Sequence, residues 1–292
     1  MDDATQTAAA LPPRPPLRAG ELQRALVHPG GLWRKLMLTE ASASTNTELV
    51  AAARDGAPEG TILVTEHQTQ GRGRIDRSFH TPPRAALTVS VFLRPQVPPA
   101  RLGWLPLLMG LAVVRAVRDT AKVEVGLKWP NDVLTLAVLA GEQRHKLVGI
   151  LAEAAATAQG TGVVLGVGMN VSQTRAELPV ATATSLAAAG GQCLDREQLL
   201  GALLDEFAEL YRSWTEHRGD TVAAGIAGAY VRECLTIGQE IRVHLPTGET
   251  LAGTAVDVDP EGRLVVQVED GTTTALSAGD VVHVRPMSAA GN

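Results

Sequence analysis

The sequence predicts an α+β protein: a mixed sheet with helices on one face, followed by a small β-barrel at the C-terminal end. Three observations carry this expectation. Strand-length apolar runs at 61–65, 86–93, 123–127, 146–156 and 161–171 are interleaved with segments whose apolar residues recur at helical spacing. Two of those segments, near 104–118 and 195–214, are long and have one face to bury. After about Cys234 the texture changes to short alternating strands between tight turns, a barrel of about 50 residues that needs a larger partner for stability.

The elements follow in order. Residues 1–20 form an expected flexible leader, because Pro12, Pro13, Pro15 and Pro16 favour extended polyproline conformations and offer little to bury. Thr45 with Glu48 three residues on, ahead of Leu49, Ala52 and Ala53, predicts a capping box opening a helix. Thr61–Thr65 is β-rich and leads into Gly71-Arg72-Gly73-Arg74-Ile75-Asp76-Arg77, after which Ala86–Leu93 reads as a buried strand. Trp104, Leu107, Leu108, Leu111 and Val114 give the first long helix its apolar face. Val123–Leu127 resumes as a strand that Pro130 ends, setting Asn131 and Asp132 in a turn. Lys146–Ala156 and Thr161–Val171, separated at Gln159-Gly160, pair most simply as an antiparallel hairpin. An Asp195 cap with Gln198 opens the second long helix through Leu199, Leu203, Phe207, Leu210 and Trp214. Strands at 241–245, 251–256, 264–268 and 281–284 complete the chain. The expected division is a leader at 1–20, a large domain at 21–235, a small β domain at 236–287 and a tail at 288–292.

Bulk properties exclude several classes. The 292 residues are 45% hydrophobic and 20% charged, as in an ordinary globular enzyme. A formal net charge of −5 argues against a general nucleic-acid binder, which needs a basic surface to release counterions. Cys193 and Cys234 have no CxxC spacing and read as small core residues. The longest apolar run, Trp104–Val114, is interrupted by Pro106 and falls short of the roughly 20 residues of a bilayer span. No membrane segment is expected. The acidic, Pro-rich start is unlike a signal peptide, so cytoplasm is the default location.

The chemistry concentrates in a few motifs. Gly71 and Gly73 keep the backbone open beside Arg72, Arg74 and Arg77, whose guanidinium forks can each donate paired hydrogen bonds to phosphate or carboxylate, although a solvated basic turn, taken alone, shares this composition. Lys128 and Lys146 also fall at strand ends, and cations aimed at one place need an anion. Asp132 suits Mg²⁺, which is bound through one or two carboxylates plus substrate phosphates, although an ordinary turn aspartate shares its spacing. Gly166-Val167-Gly168-Met169-Asn170 lacks the third glycine of a dinucleotide fingerprint and lies within a strand. Its glycines mark close approach by a ligand or another strand. Neither a Walker-type phosphate loop nor a G-x-S-x-G elbow is present.

With Ser44-Thr45-Asn46, Gln68 ahead of Gly71–Arg74, Lys128-Trp129-Pro130-Asn131-Asp132, Lys146–Leu151 and Gly166–Val171 in this order, the chain resembles the biotin protein ligase family over roughly residues 36–287. The resemblance implies a biotin/lipoate ligase-type catalytic domain with an SH3-like C-terminal domain, in a form without the N-terminal winged helix that some members carry. It implies activation of biotin with Mg·ATP to biotinyl-5′-AMP and transfer to a lysine of a biotin carboxyl carrier protein, as in acetyl-CoA carboxylase. By resemblance, Ser44, Thr45, Asn46 and Gln68 hold the biotin ureido ring, and Gly149 lies in the same site. Arg72, Gly73 and Arg74 sit on the loop that closes over biotin and the phosphates, and Lys146 contacts the biotin carboxylate and the α-phosphate. Lys146, Arg74 and Arg72 thus carry the catalytic charge. Arg74, Arg77, Phe79, Lys128, Asn131 and Asn170 serve ATP, and Asp132 its magnesium.

Two positions depart from the family pattern: Asp76 stands where a glycine is usual, and Phe79 where a tryptophan is. A carboxylate facing pyrophosphate repels it, and Phe79 offers a smaller ring face. A lipoate or octanoate ligase of the same fold is the nearest alternative, but it is expected to show an Arg-Arg-x-x-Gly-Gly-Gly-type loop, which is absent. A non-catalytic biotin-binding regulator is a second, weakened by the absence of a helix-turn-helix pattern before Ser44. The hairpin strands offer an edge for a carrier strand or a second ligase subunit, and a charge at Val163 or Leu165 is expected to weaken that docking.

Overall fold

Strand-length runs that alternate in which face they bury build the central layer of the chain. The computed structural model describes residues 14–73, 78–136, 144–245, 248–277 and 280–283. In its larger part the strands are β1 (Lys35–Thr39), β2 (Thr61–Thr65), β3 (Gly71–Arg72), β4 (Ser78–Phe79), β5 (Ala86–Leu93), β6 (Val125–Lys128), β7 (Asp132–Thr135), β8 (Lys146–Thr157) and β9 (Gly160–Asn170). Seven of them form a mixed sheet in the order β1-β2-β5-β9-β8-β7-β6, with only β1 and β2 parallel, while β3 and β4 pair as a separate two-stranded ribbon.

Successive side chains of a strand point to opposite faces, and β5 shows what that does here. Leu87, Val89, Val91 and Leu93 enter the main core with the two long helices, α3 (Leu105–Ala121) and α4 (Arg196–Glu216). On the opposite face Phe92 joins Leu49, Ala53, Leu63, Ala155 and Val164 beneath α2 (Thr45–Arg54). The polar members of that face, Thr88 and Ser90, continue along the strand beside the N-terminus of α2. A sheet face covered at one end by a single short helix leaves the rest of its surface to form a cleft.

The small domain is a five-stranded antiparallel sheet, in the order β13-β12-β11-β10-β14, from β10 (Glu240–His244), β11 (Thr250–Val258), β12 (Leu264–Gln267), β13 (Thr273–Leu276) and β14 (Asp280–His283). Its turn at Asp259–Gly262 docks against two buried tryptophans. Trp104 Nε1–H donates to Asp259 O at 3.1 Å and Trp129 Nε1–H to Gly262 O at 3.1 Å, so both indole donors are satisfied. A Cβ at Gly103 would stand 2.3 Å from Glu261 O, which is why glycine is required at that approach. This docking lies directly under the Lys128–Asp132 turn.

Several expectations need correction. Ser44, not Thr45, caps α2: its Oγ accepts from Thr47 N, and Glu48 reaches back to Ser42 Oγ and Ala43 N. Asp132 is the first residue of β7, in register with Lys128, rather than a turn residue. The hairpin loop is Ala158-Gln159, with Thr157 paired to Gly160. Arg14–Arg18 is no free leader but packs on the domain, with Leu17 buried, and runs into α1 (Ala19–Leu26). Val163 and Leu165 belong to the core, so a charge there disrupts folding rather than docking. Helix α5 (Ile226–Glu233), β1 and β13, of eight, five and four residues, are too short for their periodicity to stand out in the sequence. The stretch Pro99–Ala121 is long and apolar enough by composition to span a bilayer, with mean hydropathy 1.5, and 67% of that window is buried inside the protein. Cys234 is buried as expected, whereas Cys193 is half-exposed.

Candidate functional site

A cavity of about 780 Å³ opens on the sheet face that α2 leaves uncovered. Its two ends differ in chemistry.

One end is buried and built from hydrogen-bonding groups. Ser44, Thr45, Asn46 and Gln68 are each buried, held by the start of α2 and the chain after β2. Gln68 Oε1 accepts from Thr45 N at 2.9 Å and Thr45 Oγ1 at 3.2 Å. Asn46 Nδ2 donates to Leu151 O at 3.1 Å and Glu153 Oε2 at 2.9 Å. Ser90 Oγ lies 2.7 Å from both Thr45 Oγ1 and Asn46 Oδ1. Such a network fixes donors and acceptors before any ligand arrives.

The glycines of β8 and β9 clear the floor. A Cβ at Gly166 would stand 2.1 Å from Asn46 Oδ1, one at Gly168 2.9 Å from the Phe79 ring, and one at Gly149 3.0 Å from Lys146 Nζ. The close approaches predicted from the strand glycines are therefore made by side chains that line the cavity, rather than by another strand.

The other end carries charge. Lys146 opens β8 and its Nζ stands 2.6 Å from Asp132 Oδ1 on the neighbouring β7. Apart from that ion pair, this buried carboxylate oxygen has no hydrogen-bond partner among the described residues. Lys128 lines the same wall. Arg72, on β3, flanks the first end instead: it reaches Glu153 Oε1, of the carboxylate that Asn46 bonds, at 3.3 Å and donates to Thr47 Oγ1 at 3.3 Å. Asn131 Nδ2 donates to Ile150 O at 2.8 Å while Ile150 N donates to Asn131 O, tying the turn to β8. Asn170 is buried, its Nδ2 donating to Thr184 O and its Oδ1 accepting from Gln173 Nε2, both at 2.9 Å.

Of the residues singled out from sequence, Ser44, Thr45, Asn46, Gln68, Arg72, Gly73, Phe79, Lys128, Asn131, Asp132, Lys146, Gly149 and Asn170 all line this one cavity. Arg74 and Arg77, with Asp76, lie outside the described residues. Sequence reasoning missed Thr88, Ser90 and Glu153, and the wall formed by Pro179, Val180, Thr182 and Ala183. The polar pair at 88 and 90, two apart in an otherwise apolar strand, was the available signal for the first two. The 179–183 wall carries no charge and no glycine, so nothing in its composition marked it. Among the described residues no three His, Cys, Asp or Glu converge to hold a metal on protein ligands alone.

Comparison with known proteins agrees in sequence and in fold. Residues 39–170 match the biotin/lipoate A/B protein ligase family, and residues 236–284 match the biotin protein ligase C-terminal domain. The biotin–[acetyl-CoA-carboxylase] ligase of Mycobacterium tuberculosis is 41% identical over 277 residues, spanning 93% of this chain and 97% of that protein. The bifunctional ligase/repressor BirA of Bacillus subtilis is 33% identical over 83% of this chain and 72% of its own length. The structure of the Aquifex aeolicus biotin protein ligase in complex with biotin and ATP superposes with a TM-score of 0.70 at 26% identity, covering 87% of this chain and all (100%) of that one.

Proposed function

The chain belongs to the biotin/lipoate A/B protein ligase family, and from that membership and the two-ended cleft we propose how its residues divide the work. The protein is an ATP-dependent biotin ligase that uses Mg²⁺ and acts on biotin-carrier acceptor proteins. In the first step a biotin carboxylate oxygen attacks the α-phosphorus of ATP, and the bond to the bridging oxygen breaks as pyrophosphate leaves. In the second, an acceptor lysine amine attacks the acyl carbon of biotinyl-5′-AMP, forming the amide and releasing AMP and a proton.

The observation that carries the assignment of residues is the separation, within one cavity, of a buried hydrogen-bonding end around Asn46, flanked by the Arg72–Glu153 pair, from an end that carries Lys128, Lys146 and Asp132. A ureido ring presents two N–H donors and one carbonyl acceptor, and the Ser44, Thr45, Asn46, Gln68 and Ser90 cluster supplies neutral partners for both. Lys146 lies across the floor near Gly149, where a carboxylate reaching from that ring meets the nucleotide. The carboxylate must approach an already anionic phosphate, so the role of Lys146, Arg72 and Arg74 is to offset that repulsion and hold the charge of the transition state. Lys128, Asn131 and Asn170 brace the nucleotide wall, with Phe79 over Gly168 as a ring surface, and Arg77 serves the same nucleotide.

Asp132 is the residue that would hold magnesium: its carboxylate lines the cleft, and its Oδ1 has no partner among the described residues beyond the Lys146 ammonium. A magnesium ion held there would supply positive charge against the polyphosphate. Residues 21–235 house these steps, and 236–287 brace the Lys128–Asp132 turn from below. The distal half of β8 is the docking edge for the acceptor or for a second copy of the chain. The acidic net charge disfavours nucleic acid as a partner, and free thiols suit the cytoplasm.

Pyrophosphate exchange tests this reading. With Mg·ATP, biotin is expected to drive exchange of labelled pyrophosphate into ATP; exchange supported by lipoate or octanoate and not by biotin would contradict it.

A further inference from the structure

The segment from Val171 to Leu186 forms a wall of the cleft, yet it contains no helix or strand of its own beyond an isolated bridge between Ala183 and Lys146. Its two ends are tied to the sheet, where Ser172 N donates to Ala85 O, Asn170 Nδ2 to Thr184 O and Leu186 N to Asn170 O, and between them two further sets of bonds hold it. On its inner side it grips the backbone of Lys146: Lys146 N donates to Thr182 O at 2.8 Å and Thr184 N donates to Lys146 O at 2.9 Å. On its outer side it is gripped by Arg14. The Arg14 guanidinium donates in fork fashion to both oxygens of Glu177, at 3.1 and 2.7 Å, and to Ser172 Oγ and Ser172 O at 3.0 and 2.9 Å.

Arg14 is itself held firmly. Pro15 and Pro16 restrict its backbone, and the next residues are clasped by a buried ion pair, Glu66–Arg196, at 2.6 Å with side chains only 2% and 4% exposed. Glu66 Oε1 accepts from Leu17 N at 2.6 Å, and Arg196 Nη2 donates to Pro15 O at 2.7 Å. A buried pair persists only when its remaining donors and acceptors are satisfied, and here the chain at 15–17 is what satisfies them.

We propose that Arg14–Leu17 is a strap that sets the place of Lys146, with Arg14 the positioning residue acting through Ser172, Glu177 and the 171–186 wall. It reaches from outside the matched family segments, at 39–170 and 236–284, to the cation that the proposed function places at the carboxylate and α-phosphate. The inference rests on that reading of Lys146. Displacing a reacting group by about 1 Å costs up to a hundredfold in rate, so loss of the strap is felt in turnover without any change of contact to substrate.

The test compares the full chain with Arg14→Ala, Arg14→Lys and Arg18→Ala, following biotin-dependent ATP–pyrophosphate exchange and amide hydrogen exchange. Arg18, next in the chain after the strap, pairs with Glu197 of α4 and has no bond to 171–186 among the described residues, which makes its variant the control for general loosening. Arg14→Ala is expected to slow turnover roughly tenfold or more and to speed amide exchange at Lys146 and Thr184. Arg14→Lys should recover part of both, and Arg18→Ala should match wild type in both. Should Arg14→Ala not fold, Glu177→Gln removes the same charged pair more gently and is held to the same expectation. Wild-type turnover and protection in these variants, or equal slowing by Arg18→Ala, would overturn the strap. Lys146→Ala run in parallel separates the two claims: normal turnover there overturns the role of Lys146, whereas a slow Lys146→Ala beside a normal Arg14→Ala overturns the strap alone.

Discussion

Lys146 meets Asp132 at 2.6 Å while remaining 42% exposed at its side chain, so it is paired yet accessible from the cleft. A lysine so placed is a charge that substrate can recruit. Replacing it with alanine is expected to leave biotin bound by the hydrogen-bonding end and to slow adenylate formation by on the order of a hundredfold, the usual loss for one electrostatic donor. Biotin titration calorimetry and single-turnover adenylation check the two halves, and near-normal turnover would remove Lys146 from the mechanism. At this scale the site was largely legible, because Ser44–Asn46, Lys128–Asp132 and Lys146 are polar residues at element ends, where sequence keeps its polar signal. Ser90 and Glu153 were not, since they interrupt strands whose neighbours are apolar or small, and only the three-dimensional register brings them to Asn46.

Elements convert those residues into a cleft, and two of them make predictions. The 171–186 wall is fixed in part by Glu177, whose carboxyl is held down from its ordinary 4.5 to about 2, first by the Arg14 guanidinium and further by the Thr174 backbone N–H. A carboxylate with a depressed folded pKa contributes its stabilisation in full above 4.5 and loses it as pH falls through about 2. The melting temperature of Glu177→Gln is therefore expected to lie below wild type at neutral pH, with the gap closing as the pH falls between these values. A gap that stays constant into acid would contradict this account of the pair. The second element is β8, whose partner β7 covers only Lys146–Gly149, so from Leu151 to Thr157 one side of β8 is unpaired among the described residues. A charged residue blunts such an edge. Ala154 is exposed, and Ala154→Lys should weaken docking of an acceptor or a second copy while adenylate synthesis persists; analytical ultracentrifugation and acceptor titration measure it, and unchanged association would move the docking surface elsewhere.

Across the whole molecule, the order of the strands was the least legible feature. Antiparallel pairing of β8 and β9 follows from a two-residue loop, but their central place in the sheet depends on β5 and β7 arriving from distant sequence. The same distance hid the strap, because a proline-rich run looks unburied until Glu66 and Arg196 are brought to it. The docking of the small domain was foreseen from size alone, and its chemistry lies in two indole donors meeting one turn. What unites these parts is a single reaction: a carboxylate activated at the cationic end of the cleft and delivered to a lysine. Mass spectrometry of a biotin carboxyl carrier domain, incubated with the protein, biotin and Mg·ATP, tests that claim most directly. The account predicts a single biotin on the acceptor lysine, dependent on ATP and lost when that lysine is replaced; a protein that makes biotinyl-5′-AMP yet modifies no carrier offered, including that of its own host, would contradict it.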